Sequence, residues 1–202
     1  MPTSASEMNK GDKLSSLTEL IRTRRSIFPP QFNEKPVDQS VLEEILENAN
    51  WAPTHKLTEP WRFKVVRGEA LGRLGDFMAN RYLETTPRKL FLEKKFEKMK
   101  ANPRRSAAVI LICLRRDPEE RIPEWEELAS VAAAVQNMWL SCHAHGLGGY
   151  WSTPGIIEEM GDFIQLDPRE KCLGLFYLGY YDNPPNQPSR NGIESKTEWI
   201  DS

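Results

Sequence analysis

The sequence contains few of the residues that build disulfides and metal sites. Its 202 residues include only three cysteines and three histidines. Cys113, Cys142 and Cys172 are odd in number and widely spaced, so they predict neither a disulfide framework nor a Cys-x-x-Cys site, and we expect a reducing cytoplasm. The 27 Lys and Arg nearly balance the 29 Asp and Glu, which leaves a net charge of −2. A broad basic surface for nucleic acid is therefore not expected.

Long hydrophobic runs are also absent. The most apolar stretch, residues 107–114, is flanked by Arg105 and Arg115 and is far shorter than the ~20 residues of a membrane helix, so no membrane span is expected. Residues 1–13 lack the apolar region of a secretory signal and are expected to form a flexible tail. Residues 14–202, including a polar tail at 182–202, fit a single domain with one hydrophobic core.

Hydrophobic periodicity predicts helices that alternate with about four strands. Strands are predicted at 61–67, at 107–114, around 150–151 and at 172–181. Helices are predicted over 14–25, from Asp38 to Pro53, over 69–102 with a break at 86–87, from Pro123 to Gly146, and briefly after Pro154. Because these elements do not form regular βαβ units, the pattern favours an α+β fold with helices packed on the sheet.

The first candidate for chemistry is Arg24-Arg25-Ser26, at the predicted end of the first helix. Two guanidinium groups, a hydroxyl and nearby backbone N–H groups are donors that suit a phosphate. Arginines near a helix C-terminus also complement the helix dipole without binding any ligand. The tripeptide alone leaves both interpretations open.

Two further segments place unusual residues in predicted loops. His55 lies in the segment 51–56 (WAPTHK), where functional residues tend to collect, although a surface histidine bonded to local backbone has the same appearance. The segment 146–154 (GLGGYWSTP) is rich in glycine but follows a long helix. A dinucleotide fingerprint needs a strand before the glycines and a helix after them, so a Rossmann site is excluded. The glycines are expected to end the helix and let backbone approach a flat group.

Two types of catalytic centre lack the residues that they need. Cys142, His143 and His145 are close in sequence, but on a helix only 142 and 145 share a face, whereas a zinc site needs three or four ligands. No GxSxG motif presents a nucleophilic serine. The residues therefore predict no metal site and no Ser-His-Asp triad.

Three segments taken together resemble the nitroreductase family of FMN-dependent oxidoreductases. They are Arg24-Arg25-Ser26 after the first helix, residues 52–56 (APTHK) with Pro60-Trp61 leading into a strand, and residues 146–151 after the central helix. The match is closest to small, single-domain members with an APxHK motif and spans roughly residues 14–190. It implies a mixed, mainly antiparallel central sheet covered by helices on both faces, and a homodimer with FMN at the subunit interface.

The resemblance also implies which residues bind FMN. Arg24, Arg25 and Ser26 would hold the phosphate and the ribityl chain, and Arg190 would complete the phosphate site. The C-terminal tail, with its apolar Trp199 and Ile200, would reach the partner subunit.

The flavin ring would be contacted by two further segments. Trp51 and His55 would come from the partner subunit to the edge of the flavin, and Trp151, Ser152 and Thr153 would line the isoalloxazine with backbone N–H groups near N5. The sequence departs from the family at two points: close relatives often have arginine at position 51 and a more polar tripeptide at 151–153.

The resemblance implies an enzyme that transfers hydride from NAD(P)H through the flavin to a nitroaromatic, a quinone or a similar small acceptor, in ping-pong order. Because a flavin supplies this chemistry itself, no side-chain nucleophile is required. An alternative is a flavin-binding protein whose flavin is a substrate or a sensor element. A domain without any ligand remains possible only if all three motifs are coincidental.

Overall fold

A computed structural model describes residues 10–183 and 189–201 of the chain. Its helices and strands follow the predicted order. They are α1 (Lys10–Thr23), α2 (Gln39–Asn50), β1 (Trp61–Arg67), α3 (Glu69–Thr85), α4 (Glu93–Arg104), β2 (Ala108–Arg115), α5 (Glu124–Ala144), β3 (Leu147–Ser152) and β4 (Glu170–Tyr180).

The four strands form one sheet in the order β1-β2-β4-β3, and every neighbouring pair is antiparallel. The predicted α+β class with a mainly antiparallel sheet is therefore confirmed. In residues 10–183 and 189–201, one parallel bridge is formed, between Ser26, outside the named strands, and Gly149 of β3. β1 and β3 are the edge strands, so the end of α1 meets the sheet at its β3 edge.

Strand β2 explains why the chain packs in three layers. Its side chains alternate between two core clusters: Ile110 and Ile112 face α2 and α5, whereas Val109 and Leu111 face α3 and the segment 156–160. All four side chains are fully buried. A strand covered on both faces is apolar throughout instead of alternating, which is the pattern of residues 107–114.

Helix α5 runs beneath the sheet and ends at a glycine, as predicted. Gly146 has a φ of +71°, a left-handed conformation that ends helices and favours glycine. Pro123 directly precedes the first helical residue, Glu124. The chain then turns straight into β3, so the end of α5 and the start of the edge strand lie together.

Three details differ from the sequence predictions. Helix α1 begins at Lys10, inside the segment 1–13 predicted as a tail, of which 1–9 lie outside the described residues. The short helix expected after Pro154 is a 3-10 helix, Ile157–Asp162. Finally, Cys113 and Cys172 are direct partners across β2 and β4, beside a register shift, although the sequence separates them widely.

Candidate functional site

The end of α1 is fastened to the edge strand β3. Ser26 bridges to Gly149, and the N–H of Ile27 donates a hydrogen bond to the carbonyl oxygen of Gly149 at 3.0 Å. A Cβ at position 148 would lie 2.5 Å from the Cβ of Ile27, so this close approach requires Gly148. The attachment holds the preceding arginines beside β3.

Arg24 carries a charge that the surrounding protein does not neutralise. Its guanidinium lies over the ring of Trp139, 4.5 Å from the centroid, and its Nη1 is buried without a hydrogen-bond partner. Burial lowers the pKa of Arg24, and the nearby charges of Arg25 and Arg190 lower it further. A buried donor without an acceptor is costly, and an anionic ligand would remove that cost.

Arg25 and Arg190 complete a cluster of three positive charges. Nη1 of Arg25 donates to the carbonyl oxygens of Arg22 and Arg24, at 2.6 and 2.7 Å, while its Nε is buried without a partner. Within the described chain, neither Arg24 nor Arg25 pairs with a carboxylate. The three arginines predicted to bind the phosphate therefore lie close together. Arg24 and Arg25 each keep one buried nitrogen without a hydrogen-bond partner.

His143 joins this cluster, although the sequence indicated it as a candidate metal ligand and as part of the helix end, residues 141–146, that the resemblance places near the nicotinamide. Its Nε2 lies 2.8 Å from Oγ1 of Thr23, the residue before Arg24. Burial lowers the pKa of His143, followed by the charges of Arg24 and Arg25. Thr23 and His143 are 120 positions apart in the sequence, so no local pattern indicates that they meet.

The segment predicted to line the flavin ring continues from the same edge. Trp151 and Ser152 pair with β4 on one side, and in the described chain no backbone bond reaches their other side. The Trp151 ring packs over Gly174, with its Nε1 buried and unpartnered. Thr153 Oγ1 donates to the carbonyl oxygen of Leu173 at 3.4 Å. Backbone groups at this edge are therefore open to a ligand.

The loop with Trp51 and His55 contacts the first turn of α5 and the end of α2. Nδ1 of His55 lies 2.5 Å from Oε2 of Glu126 in the first turn of α5. The indole of Trp51 is 78% exposed and donates to Oε1 of Glu47 at 2.9 Å. Both rings therefore lie at the surface.

The same loop has a strained backbone. Lys56, Leu57 and Glu59 all have positive φ values, of 51°, 53° and 41°. Such conformations cost about 1–3 kcal/mol each in residues other than glycine and often occur at functional sites. Leu57 is also 79% exposed, so this loop presents an apolar side chain to its surroundings.

One chain does not bring all nine predicted residues together. Glu126, which holds His55, precedes His143 by 17 positions on α5, and a helix rises 1.5 Å per residue, so about 26 Å separates the two ends. The arginine cluster lies near the His143 end of α5, and His55 lies at the Glu126 end.

No group of three or more potential metal ligands occurs among the described residues. His143 contacts Thr23, whereas His145 pairs with Glu44 of α2 at 3.2 Å, and Cys142 is fully buried. The three neighbours in sequence thus face different surroundings. In residues 10–183 and 189–201, no helix is both long and apolar enough to cross a membrane.

Comparison with known proteins decides the family. The profile of the nitroreductase family matches residues 21–180. The chain belongs to the nitroreductase family. The Bacillus subtilis protein YfhC, whose name assigns it provisionally to the NAD(P)H nitroreductases, is 28% identical over 184 residues, which cover 90% of this chain and 93% of that protein.

Solved structures agree with this assignment. A nitroreductase-like protein from Bacillus cereus is 28% identical, covers both chains completely and superposes with a TM-score of 0.77. A protein from Desulfovibrio desulfuricans, solved in complex with FMN, is 25% identical with a TM-score of 0.70, over 92% of this chain and 96% of that one. The family, the fold and the oxidoreductase class predicted from three motifs are confirmed. The FMN of the Desulfovibrio complex and the NAD(P)H in the name of the Bacillus subtilis protein are the cofactor and the donor that the motifs predicted.

Proposed function

We propose that this member of the nitroreductase family is an FMN-dependent oxidoreductase that uses NAD(P)H to reduce a nitroaromatic, a quinone or a similar small acceptor. The observation that carries the proposal is the pair of buried, unpartnered guanidinium nitrogens in Arg24 and Arg25, beside an open strand edge. A phosphate dianion supplies the acceptors that both nitrogens lack. The three free thiols support a cytoplasmic location.

The site fits FMN in two parts. The phosphate would bind Arg24, Arg25 and Arg190, with Ser26 at the ribityl chain. The ring would lie along Trp151, Ser152 and Thr153, whose backbone can donate to it. When bound, FMN supplies the hydride chemistry, and the protein provides binding, orientation and electrostatics. Backbone donors and the arginine cluster would stabilise negative charge on the cofactor.

We further propose that the site is completed in a homodimer. His55 contacts Glu126, about 26 Å along α5 from the His143 beside the arginine cluster of its own chain, so it is available to a second copy together with the exposed Trp51. Helices α1 and α5 both expose apolar side chains, which indicates a protein interface. These side chains are Leu14, Leu17, Ile21, Trp125 and Leu128.

We further propose a ping-pong order, as the family resemblance implies. NAD(P)H and the acceptor would occupy the same position in turn, so the nicotinamide has to leave before the acceptor binds. Steady-state rates at several fixed acceptor concentrations test this order, because ping-pong kinetics give parallel double-reciprocal lines. Intersecting lines would argue for a complex that contains both substrates.

Removing the arginines tests the phosphate site. We expect Arg24→Ala and Arg25→Ala each to weaken FMN binding by ~1.5–3 kcal/mol, about 10- to 150-fold, because each removes charge-assisted hydrogen bonds. Flavin absorbance of the purified proteins and FMN fluorescence on dilution measure the loss. Arg73→Ala is the matched control, since this exposed arginine lies on α3, away from the site. Unchanged FMN affinity in both site variants would refute the phosphate assignment.

Reduction by nicotinamide tests the enzymatic role. We expect the purified protein to be yellow and to bleach without oxygen when NADH or NADPH is added, and an acceptor to restore the colour. A flavin-loaded protein that neither nicotinamide bleaches would instead support the sensor or substrate alternative. A colourless protein that FMN cannot reconstitute would overturn the proposal.

A further inference from the structure

The contact between Thr23 and His143 joins the end of α1 to the last turn of α5. It lies next to Arg24, and His143 is partly buried there. The family resemblance places the helix end 141–146, which includes His143, near the nicotinamide, but assigns His143 no role at the phosphate. Its position beside two unneutralised arginines makes its protonation state sensitive to any anion that they bind.

The hydrogen bonds of Thr23 determine which nitrogen of His143 carries its proton. Oγ1 of Thr23 donates to the carbonyl oxygen of Glu19 at 2.7 Å. A hydroxyl has one hydrogen, so towards His143 the same oxygen has to accept. Nε2 of His143 therefore carries a hydrogen and donates at 2.8 Å. Nδ1 is left as the atom that gains or loses the titrating proton.

The two charges that shift the pKa of His143, those of Arg24 and Arg25, are both positive. Arg24 and Arg25 act on the ring from the end of α1, and Arg190 adds its charge at Arg24. Glu44 of α2 pairs with His145, and Glu19 of α1 contributes its backbone carbonyl to Thr23; no ion pair with a carboxylate is formed by His143 in the described residues. A second cation on the ring is therefore disfavoured while the arginines are unneutralised.

We propose that His143 is a fourth group of the phosphate site, which positions the arginines through Thr23 and takes up a proton on Nδ1 when a phosphate monoester dianion is bound. This inference rests on the proposed FMN site. The bound dianion cancels the arginine charges and attracts the imidazolium, so binding and protonation favour each other.

The sign of the pH dependence follows from this linkage. The pKa of His143 lies below its ordinary value of 6.5 in the flavin-free protein and is raised by bound phosphate. The extra affinity is therefore complete below the flavin-free pKa and is lost as pH rises through the flavin-bound pKa. The phosphate of FMN has its own pKa near 6, and its loss of a proton acts in the opposite direction. Comparison with a variant separates the two effects.

The experiment compares wild-type protein with His143→Gln, whose amide can still donate to Thr23 but does not titrate. FMN-loaded proteins are diluted between pH 5.5 and 8.5, and the fluorescence of released FMN gives Kd. We expect the ratio of wild-type Kd to variant Kd to rise about tenfold between pH 6 and 8, the limit for one linked proton being tenfold per pH unit. His145→Gln should follow the wild-type curve. Riboflavin, which lacks the phosphate, should show the same pH dependence in wild type and His143→Gln.

A second measurement uses unmodified protein. With only three histidines, the ring signals in a carbon–proton NMR titration can be resolved, and we expect the pKa of His143 to rise on FMN binding. Parallel Kd curves, or a pKa that FMN does not raise, would overturn the role of His143. An FMN affinity that is unchanged in Arg24→Ala and Arg25→Ala would instead refute the phosphate site itself, so the two failures are distinguishable.

Discussion

Some charged residues of this protein form ion pairs within the chain, whereas Arg24 forms none among the residues that the structure describes. Asp117 accepts from Nε and Nη2 of Arg121 at 2.8 and 3.1 Å, and Glu127, fully buried, pairs with Arg116 and accepts the N–H of Asp117 at 2.8 Å. These charges stabilise the loop that leads into α5. Nη1 of Arg24 has no such partner in the described chain, which is why we propose a ligand for it.

The lowered pKa of Asp117 is expected to make the free energy of unfolding depend on pH in the acid range. Hydrogen bonds from Arg121 hold its pKa at about 2, below the ordinary 3.8. Its contribution is therefore present above pH 3.8 and is lost as pH falls through 2. We expect Asp117→Asn to lower the urea midpoint at pH 7, and the difference from wild type to shrink as pH approaches 2. The control Glu119→Gln alters an exposed partner of Arg121; an equal effect in this control would contradict the prediction.

At the scale of elements, the two halves of the edge strand β3 differ in whether one or both of their sides are paired. Gly149 is paired on both sides, with β4 and with Ser26, whereas Trp151 and Ser152 are paired only with β4. The part paired on both sides, at Gly149, holds the arginine segment in place. The part paired on one side, at Trp151 and Ser152, leaves backbone groups available to a ligand. The site is thus built on a regular strand, which holds its groups more rigidly than a loop would.

Gly148 is the point where this arrangement is most sensitive. In Gly148→Ala the new Cβ would meet the Cβ of Ile27 at 2.5 Å. We expect a loss of about 1–3 kcal/mol in the free energy of unfolding, typical of overpacking, and weaker FMN binding because the arginine segment is displaced. Gly155→Ala is the control, since nothing lies within 4 Å of its added Cβ. Denaturant unfolding and FMN titration check both effects, and wild-type behaviour in Gly148→Ala would rule them out.

At the scale of the whole molecule, His55 and the arginine cluster of one chain lie towards opposite ends of α5. The tail adds to this picture, because Trp199 and Ile200 are each 83% exposed. Exposed apolar side chains that lie together indicate an interaction surface. A second copy would cover the tail and would bring His55 to the arginine cluster.

Removing the tail tests the proposed dimer. We expect truncation after Gly192 to raise the dimer dissociation constant at least tenfold and to reduce FMN loading, because apolar burial against the partner is lost. Trp199→Ala should show part of the effect, whereas Lys196→Ala, in the same tail, should not. Analytical ultracentrifugation gives the association state. A truncated protein that remains a stable, flavin-loaded dimer would show that the tail has no such role.

Local pattern predicted most of the elements. β1 spans Trp61–Arg67 as expected, because alternation and β-branched residues act within a few positions. The break after α3 falls at Thr86-Pro87, where proline prevents continuation of the helix. The stretch after Pro154 was harder to predict, since the few residues of a short helical turn do not distinguish a 3-10 helix from an α-helix.

The sequence by itself determined the order of helices and strands and the family, and it drew attention to the arginines that we propose bind an anion. Those properties depend on residue type and on spacing along the chain. Only the tertiary structure decided that His143 meets Thr23, that Cys113 faces Cys172, and that His55 lies far from Arg24. Such contacts depend on strand register and on where helices end in space, which packing of the whole chain sets and no local pattern encodes.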